Sequence, residues 1–317
     1  MNAKLKKINI EDCLFFDSET TAKHAELALE GREYELFQWK TRNRDTDEVL
    51  DNNALQALYK KTAALKIGFN QVVTVGAGYV KNNEIRIKAI TGSEEEILKL
   101  FCQFSQKFKY LVGFNSIGFD ICVIANNANR HFDLTEYLPE NFNPVGKKEW
   151  KVSDFHCDLM LELKATGYSN MSFDEACYMY DIPSPKDGLK GSDVNRVYWE
   201  RGIEPITNYV KKDVFSLINL FQAIRHQQKY DSFTDVQDIQ PPTPTPLKDI
   251  YNSDYFSDQA KQQLGSKFPK KLTKKDRETI KTILEAIYIR SEFQDSDNLS
   301  VQTAKKSEIE EFVKTLK

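Results

Sequence analysis

Leu14-Phe15-Phe16-Asp17-Ser18-Glu19-Thr20 is the stretch on which the fold of this chain turns. From Cys13 to Asp17 it reads as a short apolar run, suited to a strand buried on both faces and expected to end where the carboxylates begin. Asp17 and Glu19 are two apart on extended backbone, so their side chains project to the same side. Two further acids stand at comparable places. Asp120 follows a second apolar run, Tyr110 to Phe114, through Asn115-Ser116-Ile117-Gly118-Phe119. Asp213 falls in a long helix expected from about Ile206 to His226, with Tyr209 at i−4 on the same helix face. Converging carboxylates need a counter-charge, and hard oxygen ligands select Mg²⁺ or Mn²⁺ over zinc.

The pattern between these segments is that of an α/β fold. Val72 to Val80 and Ile85 to Ile90 read as a β-hairpin with Lys-Asn-Asn-Glu between them. Ser93-Glu94-Glu95-Glu96 is a helix start, and Ile97, Leu98, Leu100, Phe101 and Phe104 form an apolar face behind it. A helix to about Arg130 is expected after Asp120, and mainly helical chain from Phe155 onward. Strands alternating with helices, plus one hairpin, predict a mixed β-sheet flanked by helices. Residues 22–65 are polar and partly helical, with helical spacing from Asn53 to Leu65, and are expected as an insertion beside the sheet.

The chain has 317 residues, 44 basic against 47 acidic, for a net charge of −3. That balance lacks the strong positive charge of tight duplex binders, yet an enzyme gripping a few nucleotides needs only a local basic rim. No apolar run approaches the roughly 18 residues of a membrane span, and no signal-peptide pattern opens the chain. The expectation is a cytoplasmic protein without membrane attachment. Five cysteines with no C-x-x-C pair argue against a zinc site or a disulfide framework. His156-Cys157-Asp158 is read as structural, because neighbours on a strand face opposite ways and do not share one ion.

Pro241-Pro242-Thr243-Pro244-Thr245-Pro246 is the clearest boundary, an expected extended linker over 241–246. It separates a domain at 1–240 from a helical, partly basic C-terminal extension at 247–317. Between Lys261 and Lys281 eight basic residues face two acidic ones, which fits either a nucleic-acid contact or a solvated helix face. Lys186 and Lys190, in a Pro/Gly-rich loop, are candidates for phosphate contacts.

A phosphodiester resists hydrolysis because water is a poor nucleophile, the phosphate repels it and the leaving alkoxide is unstable; two divalent ions address all three, and holding them requires several carboxylates. Single acids are weak signals, since random placement in so acidic a chain gives on the order of seven acid pairs separated by one residue. The wording of three segments together is stronger. Leu14 to Thr20 resembles the first motif of the DEDD superfamily of 3′-to-5′ exonucleases, apolar residues followed by D-x-E-T. Val112 to Asp120 matches its second motif, and Tyr209-Val210-Lys211-Lys212-Asp213 its third in the Y-x-x-x-D form; Asn208 stands where the other subclass has histidine. Within that superfamily the resemblance is closer to one branch, the stand-alone bacterial and phage relatives of the family-B DNA polymerase exonuclease domain, and it covers about residues 10 to 226. Phe114 departs from the His or Ala more usual before the Asn.

The resemblance implies a ribonuclease H-like domain and two Mg²⁺ or Mn²⁺ ions held by Asp17, Glu19, Asp120 and Asp213, with Asp120 acting mainly through water ligands. It implies that Tyr209 orients the attacking water, that Asn115 and Phe119 contact the strand, and that Thr20 helps seat the terminal nucleotide. The expected substrate is the 3′ end of single-stranded or frayed DNA, in proofreading or repair in trans. Alternatives are an exoribonuclease of the same mechanism and a nucleic-acid-binding or recruitment module with a vestigial nuclease core. The C-terminal extension would then dock a replication or repair protein.

Overall fold

The strand that begins at Cys13 runs through both acids to Ala22 (β1) and forms the centre of the sheet. This corrects the expectation that the strand stops at Asp17. The reason lies in the partner: the hairpin strand Asn70–Lys81 (β2) continues the antiparallel ladder as far as Ala22↔Asn70, with a register shift between Glu19 and Thr20. The computed structural model describes residues 5–43, 46, 48–152, 154–164, 170–184, 188–236, 276–282, 309 and 313.

After β1 come two helices, Arg32–Thr41 (α1) and Asn52–Thr62 (α2). β2 then leads into Glu84–Ile90 (β3) through Asn82 and Asn83, both at positive φ (52° and 61°), the backbone a tight two-residue hairpin demands. Glu94–Ser105 (α3) starts at a capping box in which Ser93 and Glu96 satisfy each other's backbone amides. Tyr110–Gly113 (β4) precedes Asp120–Ala128 (α4) and two single turns, Leu134–Tyr137 (α5) and Glu149–Val152 (α6). His156–Asp158 (β5) follows, a strand of three residues in a region otherwise expected to be mainly helical. Leu159–Lys164 (α7), Phe173–Met179 (α8), Val194–Arg201 (α9), the long Glu204–Ile224 (α10) and a two-residue strand, Thr234–Asp235 (β6), complete the described order.

The six strands lie in the order β5-β4-β1-β2-β3-β6. β1 is antiparallel to β2 and β2 to β3, while β4 is parallel to β1 and β5 to β4. This is the mixed sheet of a ribonuclease H-like α/β fold. Neighbouring residues on β1 show how both faces are covered. Phe15 packs edge-on against Phe221 of α10 at 5.2 Å, and Phe16 against Phe101 of α3 at 5.1 Å. Because successive strand residues face opposite ways, α10 and α3 cover opposite faces of the sheet.

The chain divides into two compact units, Met1–Gln237 and Asp238–Lys317. In the second, residues 276–282 are helical. The proline segment and the lysines from Lys261 to Lys275 lie outside the described residues. No described helix is long and apolar enough to cross a membrane.

Candidate active site

The site begins with what α10 can approach. Gly76 and Gly78 of β2 lie opposite Asp17 and Phe15 and therefore face the same side of the sheet. A Cβ on Gly76 would sit 2.8 Å from Val214 Cγ2 and 2.9 Å from Val210 Cγ2. The missing side chain lets α10 press onto the strand, which sets Tyr209 and Asp213 beside the acids of β1. One ligand oxygen from each of Asp17, Glu19 and Asp213 lies within 4.8 Å of the others.

The fourth acid arrives differently. Ser18, between Asp17 and Glu19, donates its Oγ (2.5 Å) and its amide (3.0 Å) to Oδ1 of Asp120, the first residue of α4. Ahead of it, Asn115 takes a left-handed conformation (φ 57°) and its amide donates to Asp158 Oδ1 at 2.8 Å. A cleft of about 240 Å³ is lined by Asp17, Ser18, Glu19, Asp120, Tyr209 and Asp213 on its acidic part. Its apolar part includes Phe114, Phe119, Phe173 and Leu217. Phe114 and Phe173 pack ring to ring at 5.1 Å and 51°, so the residue that departs from the usual motif forms half of an aromatic wall.

The electrostatics of the acidic part are one-sided. Burial, then repulsion from Asp120, Glu19 and Asp213, pushes Asp17 well above the ordinary carboxylate range. Glu19 is pushed the same way by burial, Asp213 and Asp120. Asp120 is pushed up to about 7 by burial, against which the two Ser18 bonds act. Every charge that shifts Asp17 and Glu19 is another carboxylate, so the cluster is one whose ionised form calls for a cation. An all-oxygen, all-anionic donor set of this kind fits a hard divalent ion such as Mg²⁺ or Mn²⁺. Burial and the neighbouring carboxylates raise the Tyr209 phenol far above its usual range, and it hydrogen-bonds Asp213.

Seven residues singled out from the sequence thus meet in one cleft: Asp17, Glu19, Asn115, Phe119, Asp120, Tyr209 and Asp213. Thr20 does not line it. Its Oγ1 donates to the Ala64 carbonyl at 2.7 Å, which ties β1 to the turn before β2. Lys190 is exposed, next to Gly191, which does line the cleft, and Lys186 lies outside the described residues. Sequence reasoning gave no site role to Ser18, Phe114, Phe173, Gly191 or Asp158. Ser18 was legible in principle, as a hydroxyl between two acids with unfilled acceptors. Phe173 was not, because the capping residues Ser172 and Glu175 place its helix without saying what the helix faces.

Fold and site together define a ribonuclease H-like protein whose sheet presents a carboxylate cluster suited to divalent ions. Residues 62–240 match the model of a family described as predicted 3′-5′ exonucleases related to the exonuclease domain of PolB, and the chain belongs to that family. No curated protein matches the chain. The matched range contains Asp120, Tyr209 and Asp213 but begins after Asp17 and Glu19. It is β1, at the centre of the sheet, that brings those two acids to the others.

Proposed function

We propose that this protein is a metal-dependent exonuclease that removes mononucleotides from the 3′ end of single-stranded or frayed DNA, with Mg²⁺ or Mn²⁺ at two positions. The observation that carries this reading is the union, in one cleft, of three carboxylates within 4.8 Å and an aromatic wall. Carboxylates alone would suit any phosphate chemistry. Aromatic faces beside them suit an unpaired base, since stacking accepts any base that is out of a duplex.

The residues divide the work as follows. Asp17, Glu19 and Asp213 hold the ions, and Asp120, fixed by Ser18, completes the negative set. The bound ions supply phosphate neutralisation and lower the pKa of the attacking water. Tyr209 holds its proton more tightly than an ordinary phenol, so it orients the attacking water by hydrogen bonding rather than by taking a proton from it. Asn115 and Phe119 hold the terminal nucleotides, with Phe114 and Phe173 behind them. In this proposal the enzyme acts in the cytoplasm, and residues 247–317 dock a replication or repair protein.

The test is incubation of a 5′-labelled single strand with Mg²⁺ or Mn²⁺. The expected result is a ladder shortened one nucleotide at a time and absent in Asp17→Ala. A ladder that persists in Asp17→Ala sinks the proposal. An RNA strand of the same sequence, run in parallel, decides the sugar: preferential shortening of RNA replaces DNA with RNA as the substrate.

A further inference from the structure

The segment Phe114 to Phe119 carries both strand-contacting residues of the proposed exonuclease and ends at Asp120. It has no regular secondary structure, and Asn115 holds a backbone conformation that non-glycine residues rarely adopt. Such a conformation persists only where the surroundings over-determine it. Here the surroundings are the edge strand β5. His156 and Asp158 are two apart and so face the same side, towards this segment. His156 Nε2 and Ser116 Oγ are hydrogen-bonded at 2.8 Å in a buried contact. Asp158 Oδ1 accepts from the Asn115 amide at 2.8 Å and from the Met160 amide at 3.0 Å, while Oδ2 accepts from the Ile117 amide at 3.0 Å.

Both oxygens of Asp158 are thus filled by backbone donors. It lies outside the group of Asp17, Glu19 and Asp213 and does not line the cleft. We infer that Asp158 is a positioning residue: through the amides of Asn115 and Ile117 it fixes where Asn115 and Phe119 meet the nucleic-acid strand, and so governs substrate affinity without itself being a metal ligand. The inference rests on the nuclease reading above. Its chemical logic is that a rigid acceptor with two oxygens sets the spacing of two amides two residues apart. A neutral amide in the same place does not, because its NH₂ faces the Ile117 N–H donor to donor.

The experiment compares the full-length wild type with Asp158→Asn and Asp158→Ala, using a 5′-labelled single-stranded oligonucleotide and Mn²⁺. Losing one charge-assisted acceptor is expected to raise KM about tenfold in Asp158→Asn while kcat changes less than about threefold. Mn²⁺ affinity by calorimetry is expected not to fall below the wild-type value, since losing the Asp158 charge only relieves repulsion on Asp120, and retained binding also shows that the variant is folded. Amide hydrogen exchange of residues 114–119, measured on the metal-free protein, is expected to speed up in both variants and more in Asp158→Ala. An active wild type with unchanged KM and unchanged exchange in Asp158→Asn overturns the inference alone. A parallel loss of kcat and Mn²⁺ affinity also overturns it, by showing a general structural role. A wild type that shortens no strand overturns the nuclease reading and this inference with it.

Discussion

Ser18 binds Asp120 with two donors at once, its Oγ at 2.5 Å and its amide at 3.0 Å from the same carboxylate oxygen. The residue between two acids of the cluster therefore anchors another, which arrives from a segment 102 positions away. The bond opposes burial, which pushes Asp120 up to about 7. Ser18→Ala keeps the amide and loses the hydroxyl. A hydrogen bond to a charged group is worth about 1.5–3 kcal/mol, so kcat/KM near neutral pH is expected to fall roughly ten- to a hundredfold. Mn²⁺ affinity should fall as well, and that loss should shrink as pH rises, because Asp120 in the metal-free variant needs a higher pH to ionise. A Mn²⁺ affinity whose pH dependence runs parallel to that of the wild type would contradict this account.

The carboxylate cluster also makes stability depend on pH and metal in a defined direction. Burial and mutual repulsion raise Asp17 and Glu19 in the metal-free protein. A raised folded pKa means that the folded state holds protons the unfolded chain has released. The contribution is therefore full below the unfolded carboxylate pKa of about 4 and is lost as pH rises through the folded value. With a chelator present, the melting temperature is expected to fall as pH is raised from about 5 towards 8. Mn²⁺ at a hundred times its Kd should restore about 2.7 kcal/mol at the upper end, with a smaller gain at lower pH, where protons compete. Asp17→Asn is expected to melt higher than the wild type in chelator at pH 8 and to respond less to Mn²⁺. Thermal melts across pH, with and without the ion, check both halves.

The close packing of α10 on β2 gives a prediction that alters no charged group. Alanine at Gly76 would place a methyl 2.8 Å from Val214 Cγ2 and 2.9 Å from Val210 Cγ2, and the same helix carries Tyr209 and Asp213. Overpacking of this kind costs about 1–3 kcal/mol, measurable by urea unfolding. Activity is expected to fall further than stability, by roughly a hundredfold if the helix shifts by about an ångström. Removing the opposing side chain as well, in Gly76→Ala with Val214→Ala, should recover part of the activity. A Gly76→Ala protein with wild-type activity would show that the helix position does not control the site.

The sheet and its main helices were legible because their signals are local. The hairpin turn at Asn82 and Asn83, the capping box at Ser93 and the apolar face of α3 each lie within a few residues. The elements missed or misjudged depend on a distant partner. β5 is three residues long, too short for any period, and exists because β4 offers it an edge at Leu111↔His156. β1 outruns its apolar core because β2 supplies hydrogen bonds past the acids.

The same division holds at the site. Sequence by itself determined that Asp17 and Glu19 face one way and that Tyr209 and Asp213 share a helix face, because side-chain direction follows from the backbone period of one element. It also marked Asn115, Phe119 and Asp120 through the wording of their segment. Only the tertiary structure decided that Ser18 holds Asp120, that Phe114 meets Phe173, and that Asp158 grips the amides of Asn115 and Ile117. Those are distances between elements, set by how closely surfaces pack, and the bare face of Gly76 that admits α10 acquires its meaning only when the helix lies against it.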